Sequence, residues 1–481
     1  MPLQHHHITQ KGNHVKSQIH KLSLFTFIVI LVITGCKPPT QTAAPGETES
    51  TDVPVVLPTE EETTETVSRF TIQADESIQS VIAALYGILF PDEQPDFVEG
   101  DADLLIQAAP EDEAFSLETI PATFLPGWQM LSQSDNADVT DFINFAVSPD
   151  GQQVLIGLGE LPGTVTLTDQ AGNMVEYQQP IYRVISTYGP ATAMVYSVGA
   201  GDRLVAASYL GARDEAGAAA MGRIDPRFED LIGDDYFSQS DFNLEEAANR
   251  DPDLIITSAR TDWLDTVSEL GVPFFLYDAE TPDALKEAIL LTGRLFGPNT
   301  TAQAEAWVRY YEWIEAAILE QTESLTEADQ VRVLFTGTSP LRVASGEMIQ
   351  TSLIQIAGGI SVSAELTGYW NDVNLEQVAA WDPDVVLVPP YGGASVGAII
   401  DDAGWQIIDA VQDGQVYRMP KLVAPWDTPT PDTVLAIIWM ANLLYPNLDT
   451  PDCSEQVQYF YNTYYDYDIS ADEIDSLCAI N

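Results

Sequence analysis

Histidine occurs only at the N-terminus of this chain, at His5, His6, His7, His14 and His20. Zinc sites built on imidazole, Ser-His-Asp catalysis and histidine-ligated haem are therefore excluded from the rest of the sequence. The phosphate-binding G-x-x-x-x-G-K-[ST], the nucleophile elbow G-x-S-x-G and the zincin motif are also absent. We expect a protein that is not an enzyme, with no catalytic residue, no metal site and no cofactor.

Basic residues are scarce as well. The 481 residues include 19 Lys+Arg against 73 Asp+Glu, a formal net charge of -54. Nucleic acid and anionic lipid surfaces are bound by basic faces, so neither is expected as a main partner. Hydrophobic residues make up 45% of the chain, which is ample for a folded core. The length predicts two or three domains.

Cysteine is rare, and the first of the three lies at the end of an apolar run. Residues 22–34 (LSLFTFIVILVIT) follow three lysines and are too few for a bilayer span of about 20 residues, but they fit a signal-peptide core. The following Gly35-Cys36 completes a string that resembles the bacterial lipobox, whose cysteine is lipidated. We expect a signal peptide over 1–36 and an extracytoplasmic protein anchored to the cell membrane by lipid at Cys36. The alternative is an uncleaved membrane anchor.

The other two cysteines, Cys453 and Cys478, form an even pair in a chain expected to be exported. An oxidising compartment favours a disulfide between them, which would staple a helical C-terminal tail over 451–481. Free buried thiols are the alternative.

Two segments separate the anchor from the main body of the chain. Residues 37–66 are rich in Thr, Glu and Pro, which predicts a disordered tether. Residues 67–163 contain helical spacing over Ser77–Phe90, a strand over Asp101–Ala108 and a helix over Phe142–Gly159 that breaks at Ser148-Pro149-Asp150-Gly151 and then restarts. Parts of this segment resemble type II periplasmic binding proteins, but it is too short for that fold. We expect an accessory α/β module without a site of its own.

Strands and helices alternate from Thr164 onward, beginning with a hairpin over Thr164–Tyr177. Alternation of this kind predicts mainly parallel sheets with helices outside. A single long helix is expected over Ala302–Leu325. The predicted architecture is therefore two α/β lobes, 164–297 and 327–450, joined by a backbone helix within 298–326.

An internal echo supports two lobes built alike. The string NLEEAANRDPDLII begins at Asn243, and NLEQVAAWDPDVVL begins at Asn374. Each asparagine is a candidate helix N-cap, with Glu246 or Gln377 completing a capping box. The shared Asp-Pro-Asp then ends each helix and leads into a strand.

Residues 164–447 resemble the class III substrate-binding proteins of ABC importers. The strings that carry the resemblance are TLTDQAGNMVEY, both echo strings and PWDTPTPDTVLAIIWMANLLYP. The resemblance implies a monomer of two lobes that holds its ligand between them and delivers it to an ABC importer permease. The family docks on its permease through one glutamate per lobe, and the matching positions are Glu245 and Glu376. The alternative for both acids is that they only complement their helix dipoles.

Candidate ligand residues follow from topology, because ligands lie beyond the carboxyl ends of parallel strands. Arg260 is the charged candidate, with pairing to Asp262 or Asp278 as the alternative, and Arg342 is a weaker one. The aromatic candidates, which with arginine suit a large anionic complex, are Tyr188, Tyr209, Tyr369, Trp370, Tyr391 and Trp426.

The family binds ferric siderophores, haem, cobalamin and some oxyanions, and we expect a ferric siderophore, a small-molecule metal complex. Molybdate or tungstate at the helix start of Thr187–Pro190, cobalamin, and haem held by a tyrosine stay open as alternatives. Some members of the family bind zinc or manganese through histidines and carboxylates. Such a metal ligand is excluded here because the body of the chain has no histidine. An alternative from another class is a surface sensor or adhesion protein that uses the same fold.

Overall fold

The computed structural model describes residues 68–110, 115–208, 214–233, 237–238, 240–267 and 270–480. The signal peptide, Cys36, the tether and Tyr209 lie outside these ranges. Within them, no helix is both long enough and apolar enough to cross a membrane.

The accessory module is a five-stranded sheet covered by three helices. The sheet order is β2-β1-β3-β5-β4, with β1, β2 and β3 parallel and the last two pairings antiparallel. Its core is separate from that of the lobes and is built around Ile82, Leu85, Tyr86 and Phe142. The elements are β1 (Thr71–Gln73), α1 (Glu76–Leu89), β2 (Asp96–Phe97), β3 (Leu104–Ala108), β4 (Ala122–Leu125), β5 (Trp128–Ser132), α2 (Ala137–Val147) and α3 (Pro149–Leu158).

The helix break predicted over residues 148–151 is confirmed at Ser148 only, because Pro149, Asp150 and Gly151 already belong to α3. Ser148 ends α2 and is also the N-cap of α3, where its side chain accepts a hydrogen bond from the Gly151 N–H. Pro149 is the first residue of α3, a position that needs no N–H donor. The predicted strand at 101–108 is shorter than expected and begins at Leu104.

The N-lobe begins with the confirmed hairpin and continues as a parallel sheet in the order β11-β10-β8-β9. All five residues of its central strand are buried, as in a sheet covered by helices on both faces. The elements are β6 (Thr164–Thr168), β7 (Met174–Gln178), β8 (Val184–Ser186), α4 (Gly189–Ser197), β9 (Leu204–Ala206), α5 (Glu215–Ile224), α6 (Phe228–Ile232), α7 (Leu244–Arg250), β10 (Leu254–Ser258), α8 (Leu264–Val267), β11 (Phe274–Tyr277) and α9 (Pro282–Phe296).

The backbone helix α10 (Pro298–Thr322) has 25 residues and buries Trp307, Tyr311 and Ile314 on one face. The C-lobe that follows has a second parallel sheet, β14-β12-β16-β17, and an antiparallel β13–β15 pair. Its elements are β12 (Arg332–Phe335), β13 (Arg342–Ala344), α11 (Ile349–Ile356), β14 (Ile360–Ser361), β15 (Trp370–Asp372), α12 (Leu375–Trp381), β16 (Val385–Val388), α13 (Val396–Ile400), α14 (Asp409–Gln412), β17 (Val416–Arg418) and α15 (Thr433–Leu444).

The C-terminal segment forms α16 (Cys453–Tyr465) and α17 (Ala471–Cys478). The first of these helices buries Val457, Phe460 and Tyr461 in the apolar core that both lobes and α10 share. A disulfide joins Cys453 to Cys478, with their Cα atoms 5.9 Å apart. The segment is therefore an integral part of the two-lobed body.

The internal echo folds as two equivalent units. Asn243 and Asn374 each accept a hydrogen bond at the N-terminus of a seven-residue helix, from the N–H of Glu246 and of Gln377. Asp251 and Asp382 end these helices with left-handed backbone, at φ 44° and 48°. The N-caps are confirmed.

The capping boxes predicted with Glu246 and with Gln377 are wrong, since neither side chain bonds back to its N-cap residue. A capping box needs the third helical residue to reach back to the N-cap, but the Glu246 carboxylate instead accepts a hydrogen bond at 2.8 Å from Arg250, one turn later. The reciprocal box occurs at α17, between Ser470 and Glu473.

Candidate ligand cleft and docking surface

The cleft between the lobes lies at the carboxyl ends of their strands. Tyr188 follows β8 as the N-cap of α4 and is 7% exposed. Arg260 follows β10, and Tyr391 follows β16 in the other lobe. The contact of Arg260 with Tyr369 shows that the two lobes face each other here, because the guanidinium carbon lies 4.3 Å from the ring centroid.

Arg260 is held by carboxylates of its own lobe. Its guanidinium donates a hydrogen bond to Glu280 at 2.5 Å and lies 4.0 Å from Asp278. Burial disfavours the charged form, yet the hydrogen bond and charge of Glu280 keep the pKa of Arg260 above its ordinary value. The alternative of pairing with Asp278 is thus observed, and Glu280 is a partner that sequence reasoning missed.

A second contact joins the lobes across the cleft. The Lys421 ammonium group, from the loop after β17, forms an ion pair with Asp214, the N-cap of α5. Although burial alone would raise it, the hydrogen bonds from Lys421 and the Gly217 N–H lower the pKa of Asp214 below its ordinary value. The lobes are therefore closed on each other in this structure.

The phenol of Tyr391 is fixed from behind by a buried acid. Its hydroxyl donates to Asp427 Oδ2 at 2.7 Å, and Gln350 donates to the Asp427 backbone carbonyl, also at 2.7 Å. Burial raises the pKa of Asp427 to about 7, partly offset by the Tyr391 hydrogen bond. Sequence reasoning missed Asp427, although an aspartate directly after a tryptophan in PWDTP was the available signal.

The prediction that Trp426 lines the cleft is wrong. Its side chain is 0% exposed, and its indole N–H points to the Tyr461 hydroxyl on α16 at 3.4 Å. The prediction rests on its place after the strand expected over Gln415–Met419, which the structure has as β17 (Val416–Arg418). The chain then turns into the shared core, which is covered by α16.

The other predicted aromatic residues of the C-lobe lie on β15 or directly before it. Tyr369 is 42% exposed. Trp370 is half-buried and packs over Gly337, where an added Cβ would lie 2.7 Å from the indole ring. Glycine at this position is thus required for the close approach of Trp370.

Buried hydroxyl groups lie at the carboxyl ends of β8 and β10. Thr187 donates to Thr257 at 2.6 Å, and Thr257 lies 2.9 Å from the Thr261 hydroxyl. They adjoin the N-terminus of α4, whose N-cap Tyr188 makes no side-chain capping bond. Uncapped N–H groups at a helix start attract anions.

The two candidate docking acids occupy equivalent places. Glu245 is the second residue of α7 and Glu376 the second residue of α12, and both are exposed. Each therefore projects from the first turn of a helix that the internal echo repeats in the other lobe. Within the described ranges, no group of three or more His, Cys, Asp or Glu side chains is placed to hold a metal ion.

Two parallel α/β lobes that close on a cleft and share one long backbone helix define a two-lobed binding protein of the class III type. A model of the periplasmic binding protein family matches residues 184–422, from β8 to the loop after β17. This part of the chain belongs to that family, and the predicted family and fold class are confirmed.

Curated relatives are distant. The molybdate-binding protein of Haemophilus influenzae is 25% identical over 214 residues, which are 44% of this chain and 60% of the relative. A vitamin B12-binding protein of Yersinia pestis is 24% identical over 255 residues, 51% of this chain and 78% of the relative. The match thus spans less than two thirds of the molybdate-binding relative.

Solved structures show the same fold. A periplasmic solute binding protein from Veillonella parvula has 26% identity and a TM-score of 0.56, covering 65% of this chain and 96% of that one. The molybdate-bound binding protein of Haemophilus influenzae has 20% identity and the same TM-score, covering 64% and 99%.

Proposed function

We propose that this chain is the extracytoplasmic, lipid-anchored substrate-binding protein of an ABC importer. The observation that carries the proposal is the pairing of a closed cleft with one exposed first-turn glutamate at the same place in each lobe, Glu245 and Glu376. A sensor or adhesion protein would need the cleft but has no use for two matched docking acids. The membrane anchor is the lipidated Cys36.

The proposed ligand is an anionic metal complex, with a ferric siderophore as the first candidate. Tyr188 and Tyr391 follow β8 and β16, Tyr369 is exposed, and Arg260 adds a cation that contacts the Tyr369 ring. Aromatic faces together with a guanidinium suit a large, flat anion. On binding, the ligand would compete with Glu280 for Arg260.

Molybdate or tungstate is the second candidate, because the hydroxyl groups of Thr187 and Thr257 adjoin the uncapped start of α4. A small oxyanion needs many short donors rather than aromatic surface. The molybdate-binding relative adds support to this candidate.

Isothermal titration calorimetry of the full chain distinguishes the candidates. The panel is ferric catecholate and ferric hydroxamate siderophores, haemin, cobalamin, molybdate and tungstate. We expect one class of ligand to bind. If that ligand is anionic, Arg260→Gln should weaken its binding by on the order of tenfold, because a charged hydrogen bond is lost. Arg223→Gln, an exposed arginine of α5, is the control. Absence of binding across the panel would contradict the proposal.

A further inference from the structure

A second concave site lies between the accessory module and the junction of α9 with α10. It is a groove of about 630 Å³ whose walls include β4 of the module and the first turn of α10. Small-molecule sites have volumes of about 300–1,000 Å³ and favour domain interfaces. The cleft residues Tyr188, Arg260 and Tyr391 are not part of its lining.

The groove is held open by rigid walls. The amide of Gln152 in α3 donates to the Phe296 carbonyl at 3.0 Å, and the Asn299 side chain accepts the Thr123 N–H at 2.9 Å. Gly297 between them has φ 118°, and an added Cβ would lie 2.6 Å from the Gln152 amide. Proline, whose φ is fixed, recurs along the lining at Pro110, Pro121, Pro126, Pro162 and Pro298.

The groove contains an arginine without a partner. Arg294 is exposed in the last turn of α9 and lines the groove. Its guanidinium makes neither a hydrogen bond nor an ion pair with the described residues, whereas Arg309, the other arginine of the lining, has an interaction of its own. In a chain with 73 acids and 19 basic residues, such a guanidinium is available to an external anion.

The second polar feature is a buried hydroxyl group on the module side. Thr123 lines the groove and is 7% exposed, and its Oγ1 has no hydrogen-bond partner among the described residues. Buried polar atoms almost always have a partner, so this hydroxyl group has hydrogen-bonding capacity that no described residue uses. Gln129, which stands opposite Thr123 in the β4–β5 ladder, also lines the groove.

We propose that this groove binds a small carboxylate with an apolar or aromatic body. Arg294 would pair with the carboxylate, the Thr123 hydroxyl would donate to it, and the prolines with Ile120 and Ile156 would cover the body. Glu305 and Arg309 also line the groove, and their opposite formal charges sum to zero. Arg294 therefore supplies the net positive charge, and an anion is preferred to a neutral molecule.

Saturation-transfer NMR of the full chain with naphthoate and its neutral analogue naphthamide tests the proposal. Naphthoate should bind on the order of tenfold more tightly than naphthamide, as expected for one charged hydrogen-bonded pair. Arg294→Gln should abolish the difference. Arg223→Gln removes the same charge from an exposed site on α5 and should preserve it.

Thr123→Val tests the buried hydroxyl group. It should weaken naphthoate binding several-fold, because the hydroxyl donor is lost. The thermal stability should not fall, because the oxygen that is removed is buried and unpaired. Unchanged naphthoate affinity in this variant would overturn the part given to Thr123. Equal affinity for naphthoate and naphthamide, absence of binding, or a preference that survives Arg294→Gln would overturn the site.

Discussion

The carboxyl group of Asp427 is buried behind the cleft residue Tyr391, and its ionisation makes the stability of the fold depend on pH. Burial raises its pKa to about 7, whereas an unfolded aspartate titrates near about 4. The folded state therefore holds a proton that the unfolded state releases between these values. The stabilisation is complete below about pH 4 and is lost as the pH rises through about 7. Asp432, whose pKa burial raises to about 6, acts in the same direction.

Replacing Asp427 with Asn tests the direction of this pH dependence. The free energy of unfolding of Asp427→Asn should fall less than that of the wild type between about pH 4 and about pH 8, by on the order of a few kcal/mol. Urea unfolding at both pH values measures the difference. An identical pH dependence in the two proteins would contradict the account.

At the residue scale, sequence reasoning found positions but not their partners. The ends of parallel strands identified Tyr188, Arg260 and Tyr391, because topology places such residues at one edge of a sheet. Glu280 and Asp427, which hold two of them, are distant in sequence and belong to loops whose course depends on packing. Trp426 was misplaced for the same reason, since the loop after β17 turns into the core.

Among the elements, the α9–α10 junction couples the accessory module to the lobes. Gly297 has φ 118° there and touches Gln152 of the module. Gly297→Ala should therefore destabilise the chain by about 1–3 kcal/mol and loosen the module. In this variant both the backbone at residue 297 and the contact of the added Cβ with Gln152 would be strained. Thermal unfolding with limited proteolysis measures both effects.

Gly157→Ala is the matched control for the junction variant. It lies inside α3 of the same module, where an added Cβ meets no atom within 4 Å, and alanine favours a helix. We expect the control to be neutral or slightly stabilising. A Gly297→Ala variant as stable as this control would contradict the strain expected from an added Cβ at the junction.

The disulfide between α16 and α17 is a second feature that stabilises the fold at the scale of the elements. It closes a segment with a sequence separation of 25, which predicts a loss of about 2–4 kcal/mol when both cysteines are replaced by serine. Thermal unfolding of this double variant, compared with the wild type in the presence and absence of reductant, measures the loss. A reductant that lowers the melting temperature of the double variant as much as that of the wild type would contradict a role for the disulfide.

Most elements could be predicted because their signals are local. The echo helices carry an asparagine N-cap and an Asp-Pro-Asp stop, and the hairpin has alternating strands around a turn. The capping box at Glu246 failed because Arg250, one turn later, competes for the same carboxylate. The course of α16 into the shared core could not be read from its own pattern, since it depends on the surface that the lobes leave open.

At the scale of the whole molecule, the two lobes repeat one plan around α10, and the module is attached on the side of the α9–α10 junction. The lobes and backbone helix follow from strand alternation, which parallel sheets require. The groove between module and helix could not be predicted, because it is formed by residues from segments with no shared pattern. The proposed cleft and the proposed groove therefore use different residues.

Transport measured with paired docking variants tests the central claim most directly. With the cognate permease, Glu245→Ala/Glu376→Ala should abolish uptake of the bound ligand while calorimetry gives an unchanged Kd. Glu229→Ala/Asp409→Ala removes two exposed acids from other first turns of the same lobes and should leave uptake intact. Unimpaired uptake in the Glu245/Glu376 variant, or equal loss in both variants, would contradict the assignment of this chain to an importer through these two acids.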